Sequence, residues 1–118
     1  MRYRWPWQRL FHATRYSLNG VWTALREEQA FAYEAIVFLG VCTVSALFLP
    51  WGKVLLLAGA WLAVMALELI NGAVERAFDL IDTHRRPEIK AGKDMLSAAV
   101  FLLVCFNIVL WAAVVVGL

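Results

Sequence analysis

Long apolar stretches separated by short polar ones dominate this chain. Residues 35–52 and 95–118 contain no charged side chain, and a third uncharged run, 54–67, continues into a segment with few charges. About 20 helical residues cross a bilayer core of about 30 Å, so each stretch is suited to a membrane span. The pattern predicts transmembrane helices over 30–49, 54–81 and 94–117, a very short break at 50–53 and a cytoplasmic loop over 82–93.

The segment before the first span has the pattern of an amphipathic helix. Its mainly apolar positions recur at steps of three or four and share one helical face: Trp7, Leu10, Phe11, Thr14, Leu18, Val21, Trp22 and Leu25. Pro6 suits the first turn of such a helix. Aromatic- and arginine-rich helices of this kind typically lie in the membrane interface. We therefore expect a surface helix over 6–27; packing against its own bundle is a compatible alternative.

Composition and charge support one small polytopic membrane domain covering residues 1–118. Hydrophobic residues make up 63% of the chain, against about 45–50% in soluble domains. If the N-terminus is cytoplasmic, every Lys and Arg except Lys53 falls on the cytoplasmic side, which is a strong positive-inside signal. No cleavable signal peptide is evident in the first 34 residues. The prediction is an all-α protein with three spans and a cytoplasmic N-terminus.

The end of the second span carries an acidic stripe. At 100° per residue, its polar side chains occupy one face about 100° wide: Glu68, Asn71, Gly72, Glu75, Asp79 and Asp82. Counting from Val54 puts Glu68 about one turn inside the hydrocarbon core and Glu75 near the interface. Ionisable groups at that depth are costly and usually functional. A structural hydrogen bond between helices is the alternative for Glu68, and a solvated helix end is the alternative for Asp79 and Asp82.

Other charged groups reach the same level from neighbouring segments. Glu34 lies at a similar depth on the first span, Glu27 and Glu28 precede that span, and Lys93 and Asp94 precede the third. Carboxylates suit Mg²⁺ and its phosphate partners, a desolvated Glu can accept a proton from an alcohol, and Lys can neutralise phosphate. These are the components of phosphoryl transfer. Neither a P-loop motif nor a GxGxxG motif occurs, so the residues alone predict an interfacial Mg²⁺/phosphate site without naming its substrate.

The motif Glu68-Leu-Ile-Asn71-x-Ala-Val-Glu75-x-x-x-Asp79, followed by Lys93-Asp94-Met-x-Ser97, resembles the small prokaryotic membrane diacylglycerol kinase family, which includes the undecaprenol kinases. The resemblance covers essentially the whole chain. It implies a homotrimer in the bacterial inner membrane with active sites shared between protomers on the cytoplasmic side. It also implies ATP with Mg²⁺ as phosphoryl donor, a lipid primary alcohol as acceptor, and no nucleic-acid partner.

The resemblance also implies roles for individual residues. Glu68 is similar to the general base that acts on the lipid hydroxyl group. Glu28 and Glu75 resemble the carboxylates that hold the metal ion of the nucleotide; Glu27 competes for that role, and the Glu-x-Ala-Phe spacing favours Glu28. The residues that resemble ATP contacts are Arg9, Tyr16, Ser17, Asn71, Asp79, Lys93 and Asp94. Those that match the lipid side are Ala30, Phe31, Glu34 and Ser97.

The acceptor lipid is left open between diacylglycerol and undecaprenol. Gly72 stands where family members with a glycerolipid preference usually have Ser, and the Asp79–Asp94 loop resembles the undecaprenol kinases. Tyr16-Ser17 and the Ala-Phe-x-x-Glu34 stretch resemble the diacylglycerol branch. Outside the kinases, a small transporter subunit that uses Glu68 as an ion or proton site would favour a lone carboxylate near the bilayer midplane and repeated halves. A non-catalytic membrane scaffold is the third hypothesis.

Overall fold

Four α-helices form the part of the chain that this computed structural model describes, which comprises residues 5–82, 84 and 86–117. The helices run in the order α1 (Pro6–Glu27), α2 (Gln29–Phe48), α3 (Trp51–Ile81) and α4 (Pro87–Val116). α2, α3 and α4 are each long and apolar enough to cross a membrane. The predicted all-α fold with three apolar spans is confirmed, whereas the membrane-surface position of α1 and the trimer stay predictions.

Prolines and one extended residue set the helix boundaries. Pro6 and Pro87 stand at the start of α1 and α4, where a missing N–H group is tolerated. Pro50 is the N-cap of α3, and its carbonyl oxygen accepts hydrogen bonds from the N–H groups of Lys53 and Val54. Glu28 has an extended backbone, with φ −109° and ψ 104°. It alone separates α1 from α2, so its side chain is held at the junction of two helices.

The structure differs from the predicted boundaries at two places. α3 begins at Trp51 rather than at residue 54, because Pro50 caps the helix immediately before it. The predicted cytoplasmic loop over 82–93 is shorter, since residues 87–93 already belong to α4. Glu88 in the first turn of α4 suits the positive end of the helix dipole, and an i,i+4 ion pair between Lys90 and Asp94 adds support. Residues 83 and 85 of that loop, with 1–4 and 118 of the chain, lie outside the described residues.

α3 is the central helix of the chain. α2 and α4 both pack against it, and α1 packs against α2 and α3. A core cluster of Val41, Leu57 and Val114 joins the three spans. Further along the spans, the side-chain amide of the buried Asn107 donates a hydrogen bond to the carbonyl oxygen of Ala60 at 3.1 Å. α4 is thereby fixed to α3 by both apolar packing and a polar contact.

The C-terminal end of α3 packs closely against the N-terminal end of α4, and both helices are longer than a bilayer core requires. α3 has 31 residues and α4 has 30, which corresponds to about 45 Å at 1.5 Å per residue, against a core of about 30 Å. Close packing of these ends depends on Gly92, because a Cβ atom there would lie only 2.8 Å from Cζ of Phe78. The absence of a side chain at Gly92 lets α4 approach the Phe78 ring.

Candidate active site

A cavity of about 470 Å³ lies where α1, the Glu28 link, α2 and α3 meet. We call it the inner cavity. Its lining comes from all four of these segments: Ser17, Gly20, Val21, Thr23, Ala24, Glu28, Phe31, Glu68, Leu69, Gly72, Ala73 and Arg76. Most of this wall is apolar, and the ionisable groups in it are two carboxyl groups and one guanidinium group. The inner cavity therefore combines room for an apolar molecule with charged groups at one place.

Glu28 lies directly over Gly72 in this cavity. Its Oε1 atom is 3.3 Å from the position that a Cβ atom of residue 72 would take. The same Oε1 accepts a hydrogen bond from Nη2 of Arg76 at 3.0 Å, while Oε2 of Glu27 lies 3.5 Å from that nitrogen. The side chain of Glu28 is 31% exposed and that of Glu27 is 57% exposed. Of the two neighbouring glutamates, Glu28 is therefore the one that belongs to the cavity.

Two polar side chains, those of Glu34 and Asn71, lie near the carboxyl group of Glu68. The carboxyl group of Glu34 lies near that of Glu68, and its Oε1 atom is buried without a hydrogen-bond partner among the described residues. The amide nitrogen of Asn71 is 3.4 Å from Oε1 of Glu68, and the Oδ1 atom of Asn71 is buried without a hydrogen-bond partner among the described residues. The backbone carbonyl of Glu34 accepts a hydrogen bond of 2.8 Å from the indole N–H of Trp61. α2 and α3 are thus joined by polar contacts at the level of the predicted base.

A second cavity of about 250 Å³ lies between the C-terminal end of α3 and the N-terminal end of α4. We call it the outer cavity. It is lined by charged side chains and one apolar residue: Asp79, Asp82, His84, Ile89, Lys90, Lys93 and Asp94. Nζ of Lys93 lies 2.9 Å from Oδ1 of Asp79, and Nζ of Lys90 lies 2.7 Å from Oδ2 of Asp94. Both lysines are therefore held beside the cavity by carboxylates.

Asp82 orders the link between α3 and α4. Its carboxylate accepts a hydrogen bond from the backbone N–H of His84 and also contacts the His84 ring and the Arg86 guanidinium group. These donors, led by the His84 backbone N–H, hold the pKa of Asp82 below its ordinary value. The outer cavity therefore keeps an ionised carboxylate at its edge at neutral pH.

The two cavities lie along the same face of α3. Gly72 lines the inner cavity and Asp79 lines the outer one. Seven residues separate them, which is close to two helical turns and about 10 Å along the axis. The acidic stripe therefore runs along α3 from the inner cavity, which Glu68 lines, to the outer cavity, which Asp79 lines.

The structure brings together part of the predicted site. The inner cavity contains Ser17, Glu28, Phe31 and Glu68; Asn71 contacts the side chain of Glu68, and Glu34 lies near it. The outer cavity contains Asp79, Lys93 and Asp94. Within the described residues, the remaining predicted positions line neither cavity: Arg9, Tyr16, Ala30, Glu75 and Ser97.

These remaining positions differ in exposure. Glu75 is half-buried on α3 between the two cavities, whereas Arg9 and Tyr16 are exposed on α1 and Ala30 and Ser97 are exposed on the spans. A single chain thus leaves several predicted contacts facing outward.

The sequence pattern indicates no site role for Arg76 beyond its positive charge, and it indicates Gly72 only as a member of the acidic stripe and a departure from a family pattern. Arg76 lines the inner cavity and pairs with Glu28, and Gly72 makes room for that carboxylate. The available signal was spacing, because Arg76 follows Gly72 by four residues and is the one basic residue between Glu68 and Asp82. Lys90, which lines the outer cavity, was counted only as a positive charge.

The carboxylates fit a divalent cation that is shared with phosphate groups. Within residues 5–82, 84 and 86–117, no group of three or more His, Cys, Asp or Glu side chains could hold a metal ion by itself. Glu28 already pairs with a cation, the guanidinium group of Arg76. Mg²⁺ is commonly held by one or two carboxylates while water and substrate phosphates complete its coordination. Glu28 and Glu75 would supply those carboxylates.

Comparison with known proteins identifies related sequences over nearly the whole chain. The family model "Prokaryotic diacylglycerol kinase" matches residues 15–115. A diacylglycerol kinase of Haemophilus influenzae is 35% identical over 109 residues, which cover 89% of this chain and 90% of the relative. One from Helicobacter pylori (strain 26695) is 38% identical over 116 residues, or 94% of this chain and 88% of the relative. An undecaprenol kinase of Bacillus subtilis is 31% identical over 96 residues, covering 78% of this chain and 76% of the relative.

Proposed function

Because the chain belongs to the prokaryotic diacylglycerol kinase family, we propose that it transfers the γ-phosphate of ATP to the primary hydroxyl group of diacylglycerol, giving phosphatidic acid. The observation that carries the proposal is the shared lining of the inner cavity, where Glu68 and Glu28 stand together in a largely apolar wall. An apolar wall suits a lipid, and paired acidic groups suit phosphoryl transfer. Neither the lone carboxylate of a transporter site nor a scaffold accounts for this combination as well.

Glu68 is proposed to act on the acceptor. The lipid oxygen attacks the γ-phosphorus, the bond from that phosphorus to the β–γ bridging oxygen breaks, and ADP leaves. The proton of the lipid hydroxyl group passes to the Glu68 carboxylate. Asn71, which lies 3.4 Å from Oε1 of Glu68, orients the carboxylate for this task. Glu34, Ala30, Phe31 and Ser97 are proposed to form the lipid side of the site.

Glu28 and Glu75 are proposed to hold Mg²⁺ with the nucleotide phosphates. The bound cation would neutralise the charge that develops on the phosphate oxygens. Glu28 lies in the inner cavity, and Glu75 follows Gly72 by three residues, so it lies on the same side of α3 as the cavity. This arrangement would bring the γ-phosphate close to the hydroxyl group that Glu68 deprotonates.

The outer cavity is proposed as the main nucleotide side of the site. Lys93 supplies positive charge for phosphate oxygens, and Asp79 and Asp94 hold the two lysines in place. Arg9, Tyr16 and Ser17 complete the nucleotide contacts from α1. The position of Asp79 two turns beyond Gly72 on one face of α3 supports a donor that reaches from the outer cavity to the inner one.

The protein is proposed to be a homotrimer in the bacterial inner membrane, with the N-terminus and both cavities on the cytoplasmic side. The predominance of Lys and Arg on one side supports that orientation. The exposed positions of Arg9, Tyr16, Ala30 and Ser97 in a single chain support a site that is completed between protomers. Mass measurement in detergent, with correction for bound detergent, would distinguish a trimer from a monomer.

Undecaprenol is the second candidate acceptor, and Gly72 favours it. Glu28 lies over this glycine with only 3.3 Å to a Cβ position, so a Ser at position 72, which would resemble the glycerolipid branch, would crowd the Glu28 carboxylate. The similarity to the undecaprenol kinase of Bacillus subtilis is in line with this candidate.

One experiment tests the function and the acceptor together. The purified protein in lipid–detergent micelles receives MgATP with diacylglycerol and undecaprenol in parallel reactions, and radiolabelled lipid is measured. We expect phosphatidic acid as the main product. Faster phosphorylation of undecaprenol would identify undecaprenol as the preferred acceptor. A folded protein that phosphorylates neither lipid would contradict the proposed kinase function.

A further inference from the structure

Resting on the proposed kinase function, we propose that Arg76 is a positioning residue that alternates between two anionic partners. Its guanidinium group holds the Glu28 carboxylate while no nucleotide is bound. When Glu28 serves the divalent cation, Arg76 pairs instead with the phosphate groups of ATP. In the absence of nucleotide, the Arg76 guanidinium group thus occupies the Glu28 carboxylate and competes with the metal ion for it.

The first support is the geometry around Glu28. Nη2 of Arg76 lies 3.0 Å from Oε1 of Glu28 and 3.5 Å from Oε2 of Glu27, and Nε of Arg76 lies 3.4 Å from the same Oε1. One guanidinium group therefore contacts two adjacent carboxylates. A planar guanidinium group with five N–H donors can make such a bridge, whereas a single ammonium group makes it less well.

The second line of support is the position of the Glu28 carboxylate between Gly72 and Arg76. Gly72 lies beneath its carboxylate and Arg76 lies beside it, and both come from the same face of α3, one turn apart. The extended backbone of residue 28 places its side chain at the junction of α1 and α2. If Arg76 were absent, the adjacent carboxylates of Glu27 and Glu28 would lose the positive charge that they now share. Arg76 therefore selects one position of Glu28 before any metal ion arrives.

The third support is exposure, which makes an exchange of partners feasible. The side chain of Arg76 is 52% exposed, and that of Glu28 is 31% exposed. Ion pairs at this level of exposure contribute little net stability, so a divalent cation and phosphate can replace them. A fully buried pair would resist such an exchange, because separating it leaves uncompensated charges.

The fourth support is the place of Arg76 in the inner cavity. It lines that cavity together with Glu68, the proposed base, and Glu28, a proposed metal ligand. The phosphoryl group must pass between these two carboxylates. Arginine recognises phosphate oxygens through two parallel N–H bonds, so a guanidinium group released from Glu28 would have its new partner within the same cavity.

The test measures metal binding before it measures activity. Mn²⁺ is titrated into the nucleotide-free protein and the free ion is followed by electron paramagnetic resonance, for the wild type and for Arg76→Gln. Removal of the competing cation should tighten Mn²⁺ binding by about threefold or more. The matched control is Arg26→Gln, which removes an exposed arginine in the last turn of α1 and should leave Mn²⁺ binding unchanged. Equal affinity in Arg76→Gln and the wild type would overturn the proposal.

Kinetics supply the second readout. Arg76→Gln should raise KM for MgATP by about tenfold and leave KM for the lipid unchanged, since only the phosphates lose a partner. Arg76→Lys should recover part of the ATP affinity through its charge. An equal rise of both KM values would indicate a general loss of structure and contradict a positioning role.

A double-mutant cycle keeps the proposal testable if one variant is poorly folded. In a Glu28→Gln background, the further change Arg76→Gln should leave Mn²⁺ affinity unaltered, because the competition requires the Glu28 carboxylate. The same tightening in both backgrounds would contradict the proposal. These titrations need no lipid substrate, so they test the competition for Glu28 independently of the kinase activity. If the wild-type protein phosphorylates no lipid, the proposed kinase function is contradicted, and the Mn²⁺ affinities still show whether Arg76 competes for Glu28.

Discussion

Lys93 and Asp79 form an ion pair between α4 and α3, with Nζ of Lys93 2.9 Å from Oδ1 of Asp79. The contact joins two residues 14 positions apart in the sequence and fixes the lysine at the edge of the outer cavity. The Lys93 side chain is 37% exposed, so its ammonium group still reaches a ligand in that cavity. We therefore expect Asp79 to hold the Lys93 ammonium group where a bound triphosphate would share it.

From this pair we predict unequal effects of removing its two members. Lys93→Met should raise KM for ATP by about tenfold or more, because a charge-assisted contact is worth about 1.5–3 kcal/mol. Asp79→Asn should have a smaller effect, since the lysine remains but loses its fixed position. Steady-state kinetics at saturating lipid would measure both. Lys53→Met, which lies at the end of α3 opposite to Asp79, is the control. The prediction is contradicted if Lys53→Met raises KM for ATP as much as Lys93→Met does.

The second prediction separates acceptor chemistry from metal binding on α3. Glu68→Gln should lower turnover by at least about 100-fold, because it removes a general base, while ATP still binds. Glu75→Gln should instead weaken nucleotide binding in the presence of Mg²⁺. Binding of a fluorescent ATP analogue, with and without Mg²⁺, would be compared with turnover. Loss of ATP binding in Glu68→Gln would mean that the two roles are misassigned, and unchanged Mg²⁺ dependence in Glu75→Gln would count against a metal ligand.

The third prediction concerns the space beneath Glu28. A Cβ atom at residue 72 would lie 3.3 Å from Oε1 and 3.4 Å from Cδ of Glu28, so Gly72→Ala should push the carboxylate outward by a few tenths of an ångström. We expect a several-fold rise in the Mg²⁺ concentration that gives half-maximal activity, with little change in thermal stability. Gly59→Ala on the same helix is the matched control, because nothing lies within 4 Å of its Cβ position. A similar shift in both variants would show that helix stiffness, rather than Glu28, is responsible.

The helices could be predicted from sequence because their signals are local. Uninterrupted apolar runs predict α2, α3 and α4, and Pro6 with its periodic apolar face predicts α1, whose observed bounds are Pro6–Glu27. The charged residues before Met95 predict a loop up to residue 93, whereas α4 begins at Pro87. The charged residues from Glu88 to Asp94 are helical, and the i,i+4 ion pair between Lys90 and Asp94 supports the helix there.

The contacts within the site were harder to predict because they join distant parts of the chain. The acidic stripe gave the correct face of α3 for Glu68 and Asp79, since one helical period determines it. The pairing of Glu28 with Arg76 spans 48 positions and depends on how α1 and α2 meet at an extended residue, which no periodicity encodes. The contact of Gly92 with Phe78 depends in the same way on the approach of α4 to α3.

The fourth prediction tests that last contact. Alanine at position 92 would place its Cβ atom 2.8 Å from Cζ and 3.2 Å from Cε2 of Phe78, so α4 must move away from α3 or the ring must turn. Ala is favoured over Gly in a helix by about 1 kcal/mol, whereas overpacking costs about 1–3 kcal/mol; Gly92→Ala should therefore be destabilising on balance. Half-lives of activity at elevated temperature would measure the loss. Because Phe78→Leu removes the ring edge, the double variant Gly92→Ala/Phe78→Leu should be more heat-stable than Gly92→Ala alone. If the double variant is no more heat-stable, the close contact with Phe78 does not cause the loss of stability in Gly92→Ala.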